Sequence, residues 1–301
     1  MKLFLVKTIS FVTLLILIYF IASIVSYNKA NTNDFMEGII DKHNRIDRIS
    51  EPKLIFAGGS NIAFGINSPK IEREFNKPVV NLGLHAGLGL SFILEELKYS
   101  CKNGDIVFLS IEYFLSLEGD YGLKQLTRNG YSNASKFYKA SIIEDIKLHI
   151  EHTRVNIKAL LFKDQRNNSV YDRNGFNEYG DVISHLKKQQ PESIHDKVVF
   201  IYKYWEGIET LNEFNNYALH NNIKVFYLYP NYPKSQYEVN RSTILKYAND
   251  LSENLKIGIL NKPEDFVFDD SLFFDTVYHL NADGREKRTD KLIQIIKDKV
   301  L

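Results

Sequence analysis

The feature that most constrains this chain is an uncharged run close to its start. Residues 9–27, ISFVTLLILIYFIASIVSY, are 19 positions without a charge, preceded by the apolar Leu3 and Phe4. As a helix rising about 1.5 Å per residue, the run crosses most of a ~30 Å hydrocarbon core. Lys2 and Lys7 precede it, and Asp34 and Glu37 follow Lys29. The positive-inside rule then sets residues 1–8 in the cytoplasm and residues 28–301 outside. A cleaved signal peptide is the competing reading. It needs small residues at positions −3 and −1 of the cut, which Ile24/Ser26 and Asn28/Ala30 supply poorly. The expectation is an uncleaved, single-pass anchor in the cell membrane. The polar residues 28–50 read as a stalk, with a short helix about 35–43.

Past residue 50, short apolar runs alternate with amphipathic stretches, the rhythm of a parallel sheet flanked by helices. Strands are expected at 53–57, 79–82, 105–111 and 224–229, with a weaker one at 257–260. Helices are expected at 68–75 behind a serine cap, and at 88–101, 197–221, 235–254 and 282–299, the last capped by Asn281. The rhythm breaks between Glu112 and Asp196. Residues 131–152 read as helical, and 163–179 are polar. So long an interruption is read as an insertion or lid at about 115–195 of one α/β domain covering 51–301.

Lys and Arg total 38 against 37 Asp and Glu, which leaves no basic field for nucleic acid. The single cysteine, Cys101, excludes an internal disulfide and reads as a buried structural thiol. His85 and His185 lack neighbours at ligand spacing, so no metal is expected, and no cofactor.

Three segments carry chemistry. In Leu54-Ile55-Phe56-Ala57-Gly58-Gly59-Ser60-Asn61 an apolar strand runs through two glycines into a serine, at the strand end where open α/β sheets bind ligands. The same pattern also describes many turns. It has neither the Lys of a phosphate loop nor the spacing of a Gly-x-Ser-x-Gly elbow. In Val79-Val80-Asn81-Leu82-Gly83 a second strand ends in a glycine turn whose N–H groups can face an oxyanion, or which is simply a turn. In Phe273-Phe274-Asp275-Thr276-Val277-Tyr278-His279 a carboxylate and an imidazole precede the last helix. Acyl transfer through serine needs such a base and an acid to orient it.

Taken in this order, the segments resemble the blocks of the SGNH (GDSL-like) hydrolases over residues 50–300, with a divergent middle. Within that superfamily the chain is similar to membrane-anchored proteins that acylate surface polymers, as in teichoic-acid D-alanylation and alginate O-acetylation. The resemblance implies a three-layer α/β/α, flavodoxin-like sandwich around a parallel sheet. It implies Ser60 as nucleophile, His279 as base and Asp275 as the orienting acid. The N–H groups of Ser60 and Gly83 would form the oxyanion hole. The family's Gly-Asp-Ser is Gly58-Gly59-Ser60 here, and its Asp-x-x-His is one residue longer. Its third block, Gly-x-Asn-Asp, is replaced by Ser110-Ile111-Glu112-Tyr113, so either Asn61, Asn81 or Tyr113 stands in for the missing donor or the oxyanion hole is thinner. The expected activity is serine O-acyl transfer or ester hydrolysis, with acetyl as the group, on a cell-surface polysaccharide or similar polymer. A membrane-bound O-acyltransferase is the implied partner. The alternative is a catalytically silent SGNH-fold module that binds polymer or scaffolds such a complex. Glu112 reads equally as a substrate contact or an ion-pair partner. The turn 229–233 follows the fourth strand toward the cleft rim but reads first as a rigid turn, and Trp205 reads as core.

Overall fold

The computed structural model describes residues 1–29, 34–162 and 170–301. Residues 30–33, part of the expected stalk, and 163–169, part of the expected insertion, lie outside it. The elements in chain order are α1 (Lys2–Lys29), α2 (Gly38–Arg48), β1 (Leu54–Gly58), α3 (Ser60–Ala63), α4 (Ser68–Phe75) and β2 (Val79–Asn81). There follow α5 (Leu90–Ser100), β3 (Ile106–Ser110), α6 (Tyr121–Gly130), α7 (Ile142–Phe162), α8 (Gly207–His220) and β4 (Lys224–Leu228). The chain ends through β5 (Tyr232–Pro233), α9 (Lys234–Asn254), β6 (Gly258–Ile259), β7 (Val267–Phe268) and α10 (Ala282–Lys299).

Two compact units result. One joins residues 1–34 with 140–168, and the other joins 35–139 with 169–301. In the first unit, residues 2–24 of α1 form a span with a mean hydropathy of 2.4, long and apolar enough to cross a membrane.

The second unit is built on five parallel strands in the order β2-β1-β3-β4-β6. All five residues of β1 and all five of β3 are buried, as apolar runs covered on both faces must be. Register aligns Phe56 with Phe108 and Phe108 with Phe226. Their rings stack along one face at 4.9 and 5.9 Å. The chain leaves β1 toward β2 and then returns past β1 to β3. Right-handed crossovers therefore put α4 on one face and α5, α8 and α9 on the other. The packing of α4 on α10 and of α5 on α8 agrees with that arrangement. At the reversal, between the carboxyl ends of β1 and β3, an open sheet forms its binding crevice. At the opposite ends of the same strands, Lys53 and Asp105 form a fully buried ion pair, 2.8 Å long.

Several local expectations shift. The helix expected at 197–221 begins at Gly207, and that expected over 131–152 is α7, which starts at Ile142 after a short 3-10 turn at Ser132–Lys136. Asn67, not Ser68, caps α4 by accepting the Lys70 N–H, while Asn281 caps α10 as the sequence suggested. The largest change concerns the stalk and the insertion. From Phe35 onward the stalk residues are packed: Phe35, Met36 and Ile39 are buried with Phe64, Phe92, Phe137, Val170, Val182 and Phe274 in a second apolar cluster. The polar residues around them hide this in the sequence, because the cluster draws single aromatics from distant segments. The 115–195 stretch is likewise divided, with α7 in the first unit and the flanking residues in the second.

Candidate active site

Ser60 is the first residue of the single turn α3, directly after β1, and it is half-exposed. Glu112, one residue beyond the end of β3, reaches under this turn and accepts hydrogen bonds from the N–H groups of Gly59 (3.3 Å) and Asn61 (3.2 Å). A carboxylate holding both flanking amides fixes the path of the backbone at Ser60. A Cβ on Gly59 would lie 2.3 Å from Glu112 Oε1, so a larger residue there would displace the carboxylate from the two amides. Arg288 of α10 approaches from below. Its Nη1 donates to Asn61 O and Asn231 Oδ1, both at 2.6 Å, and its Nη2 to Ser110 Oγ at 3.0 Å. Burial pushes this guanidinium down to about 9, against the charge of Glu112, so it remains a cation at neutral pH. Asn231 in turn donates to Tyr278 O, which ties the Ser60 turn to the segment carrying His279.

That segment folds back on itself, with Phe273 and Leu280 bridged antiparallel and the Phe274 N–H donating to His279 O at 2.7 Å. The tight return absorbs the extra residue between acid and base. His279 Nδ1 lies 2.8 Å from Asp275 Oδ1. A contact of this length to a carboxylate sets the proton on Nδ1 and leaves Nε2 as the basic nitrogen. Tyr171 donates its hydroxyl to the other oxygen of Asp275, and burial followed by that bond pushes its own ionisation well upward. Burial by itself would raise the Asp275 carboxyl. The hydrogen bond and charge of His279, with Tyr171 and a backbone amide, outweigh it and hold the acid below its ordinary value. The imidazole lies flat on Phe64, with centroids 3.9 Å apart and an interplanar angle of 7°. Phe64 donates its N–H to Ser60 O at 2.9 Å. The turn that presents the serine therefore also carries the ring against which the imidazole stacks.

Ser60 Oγ makes no hydrogen bond among the described residues, to His279 or to any other group. The polar groups of the expected oxyanion set are engaged elsewhere. Gly83 N–H donates to Asn81 Oδ1 at 2.9 Å, and Asn81 Nδ2 donates to Ile62 O and Asp181. Asn61 Nδ2 donates to Ser110 O, and its Oδ1 accepts from Ser110 and Arg288. Tyr113 is buried, and its N–H donates to Tyr278 Oη. The Ser60 N–H is the donor left near the serine. His85 accepts the Gly87 N–H at 2.9 Å, while burial and the neighbouring His279 depress its protonation. His185 is buried, and its one hydrogen bond among the described residues is donated by Nε2 to Leu280 O at 2.9 Å. Burial lowers it to about 4, so it is neutral. Among the described residues no three His, Cys, Asp or Glu side chains are grouped as a metal site requires.

Sequence reasoning missed Phe64, Tyr171 and Arg288. An aromatic four residues after the serine was the only available signal for the first. Tyr171 reaches Asp275, 104 positions away, and Arg288 reaches Asn61, 227 positions away, and neither carries a local mark. Compared with family models and with curated proteins, the chain matches none.

Proposed function

We propose that the chain is a serine O-acyltransferase or esterase with an SGNH-type three-layer sandwich, acting outside the cell membrane on a surface polysaccharide or similar polymer. Acetyl is the acyl group that the resemblance favours. The observation that carries the reading is the Tyr171–Asp275–His279 chain stacked on Phe64, the residue that closes the Ser60 turn. In the reaction His279 Nε2 takes the Ser60 proton as Oγ attacks the acyl carbon. The tetrahedral intermediate collapses to the acyl-serine as the bond to the donor's leaving group breaks and that group takes the proton back from His279. Asp275 stabilises the imidazolium, and the Ser60 N–H faces the developing oxyanion. The acyl-serine is then resolved by a sugar hydroxyl or by water. A membrane-bound O-acyltransferase supplying acyl groups is part of this proposal.

A non-catalytic module on the same fold is the second reading. It is favoured by the free Ser60 Oγ and by the internal engagement of Gly83, Asn81 and Asn61. Acetate release from p-nitrophenyl acetate and the acyl content of surface polymer in cells separate the two. Ser60→Ala should lower both by several orders of magnitude, with His279→Ala about as damaging. It should leave stability nearly unchanged, since little volume is lost. Full polymer acylation by Ser60→Ala in a deletion strain would establish the non-catalytic reading instead.

A further inference from the structure

The first unit contains an apolar surface that the proposed chemistry does not use. On α7, Ile142, Ile143, Ile146 and Ile150 are 78, 68, 57 and 51% exposed. At about 100° per residue these four fall within one third of the helix circumference, and Ile157 joins them. The exposed Lys147, Glu151 and Arg154 fall on the other side of that stripe. One edge of the stripe is held against α1. His149 Nε2 and Ser23 Oγ are 2.9 Å apart, and Tyr19 Oη donates to Thr153 Oγ1 at 3.4 Å. Because position 19 meets 153 and 23 meets 149, the two helices run antiparallel. Ser23 lies at the end of the apolar span of α1, and Tyr19 about one turn inside it. The isoleucine stripe is therefore continuous with the exposed apolar surface of α1 at the level where that span ends.

We infer that α7 is a second membrane contact, its isoleucine face seated in the headgroup–acyl boundary beside α1. Lipid is the occupant because the stripe extends a surface that already requires hydrocarbon. The basic residues bordering it can bury their stems and keep their charges among headgroups. Leaving four isoleucines in water would forfeit the burial that stabilises such helices at interfaces. The pairing also sets a depth: residues toward Thr153 lie beside Tyr19, and those toward Ile142 lie beyond Ser23.

The test uses the full chain in phosphatidylglycerol/phosphatidylcholine vesicles, with Cys101→Ser and one new cysteine carrying an environment-sensitive fluorophore. Probes at positions 146 and 150 should emit at shorter wavelength and be quenched several-fold more by spin-labelled lipid than probes at 147 and 151. A probe at Leu15 reports whether α1 itself is in the bilayer. Water-like emission and equal quenching at all four α7 positions would overturn the inference. So would shielding at 146 and 150 that resists lipid quencher and weakens on dilution of protein in the membrane, which would mean a second copy covers the face. A Leu15 probe untouched by the quencher would overturn it as well, since α7 relies on α1 for its placement.

Discussion

The sheet and the aromatic cluster around Phe64 are both buried, yet they are assembled differently. In the sheet, burial comes in runs: Leu54, Ile55, Phe56 and Ala57 are consecutive, and each strand finds its neighbour through repeated backbone bonds. In the cluster, Phe35, Phe64, Phe137 and Phe274 come from four segments far apart in sequence and meet through their side chains. The first kind of core makes a scaffold that tolerates little charge. The second makes a site, because each aromatic brings a different loop with it. The geometry of His279 depends on the second core, while the position of Ser60 depends on the first.

The sharpest way to break the comparison is to unseat the scaffold alone. Asp105→Ala strands the buried Lys53 ammonium at the sheet end away from the site. It should cost about 3–5 kcal/mol of unfolding free energy, read by urea denaturation. A loss below ~1 kcal/mol would show that the pair is not the scaffold element described.

Lys42 sits where the two regions meet, fully buried, donating to Asn81 O of β2 (3.0 Å) and Gly180 O (2.6 Å). Burial lowers its pKa to about 7 from 10.5. The unfolded chain therefore binds more protons between those values, and stability should rise with pH from about 7 to 10, with no further change from this group below 7. Lys42→Met should abolish that slope, measured as denaturation midpoints at neutral pH and near pH 9.5. An unchanged slope would assign the pH dependence to other groups.

Within the cluster, Phe64→Leu keeps most of the apolar volume and loses the flat stack on His279. Stability should fall by roughly 1 kcal/mol, the scale of an aromatic pair, while kcat on an acetyl ester falls far more than that loss explains. Equal, small effects on both would mean the stack is packing alone. The smallest expected effect is that of Tyr171→Phe, which removes one hydroxyl from Asp275. Activity should drop about tenfold, the value of one hydrogen bond to a charged group, with the folded fraction intact. Unaltered kcat and an unaltered acid limb of the pH–rate profile would remove Tyr171 from the chain of bonds.

What was readable in advance follows the same division. Strands 53–57, 79–82, 105–111 and 224–229 lie within a residue or two of β1 to β4, because a doubly covered parallel strand must be a continuous apolar run. Helix starts were less readable. The 197–221 expectation ran ten residues early, since the aromatic residues there imitate a helix face without forming one. The stalk failed for a related reason: Phe35-Met36 and Ile39-Ile40 are only short apolar pairs in a polar stretch, and side chains distant in sequence make them core.

By itself the sequence determined the apolar N-terminal span, the parallel sheet and the serine at the end of its first strand, all properties written in consecutive residues. It also put Asp275 and His279 close enough to meet. Only the tertiary structure decided that the longer Asp-to-His spacing closes into a 2.8 Å contact, and that Glu112 braces the serine turn. It likewise decided that Phe64 and Tyr171 hold the imidazole from two sides. The hydrogen bonds that Glu112 and Arg288 make to the serine turn join residues 51 to 227 positions apart. Their strength lies in geometry among single side chains, which no local periodicity records.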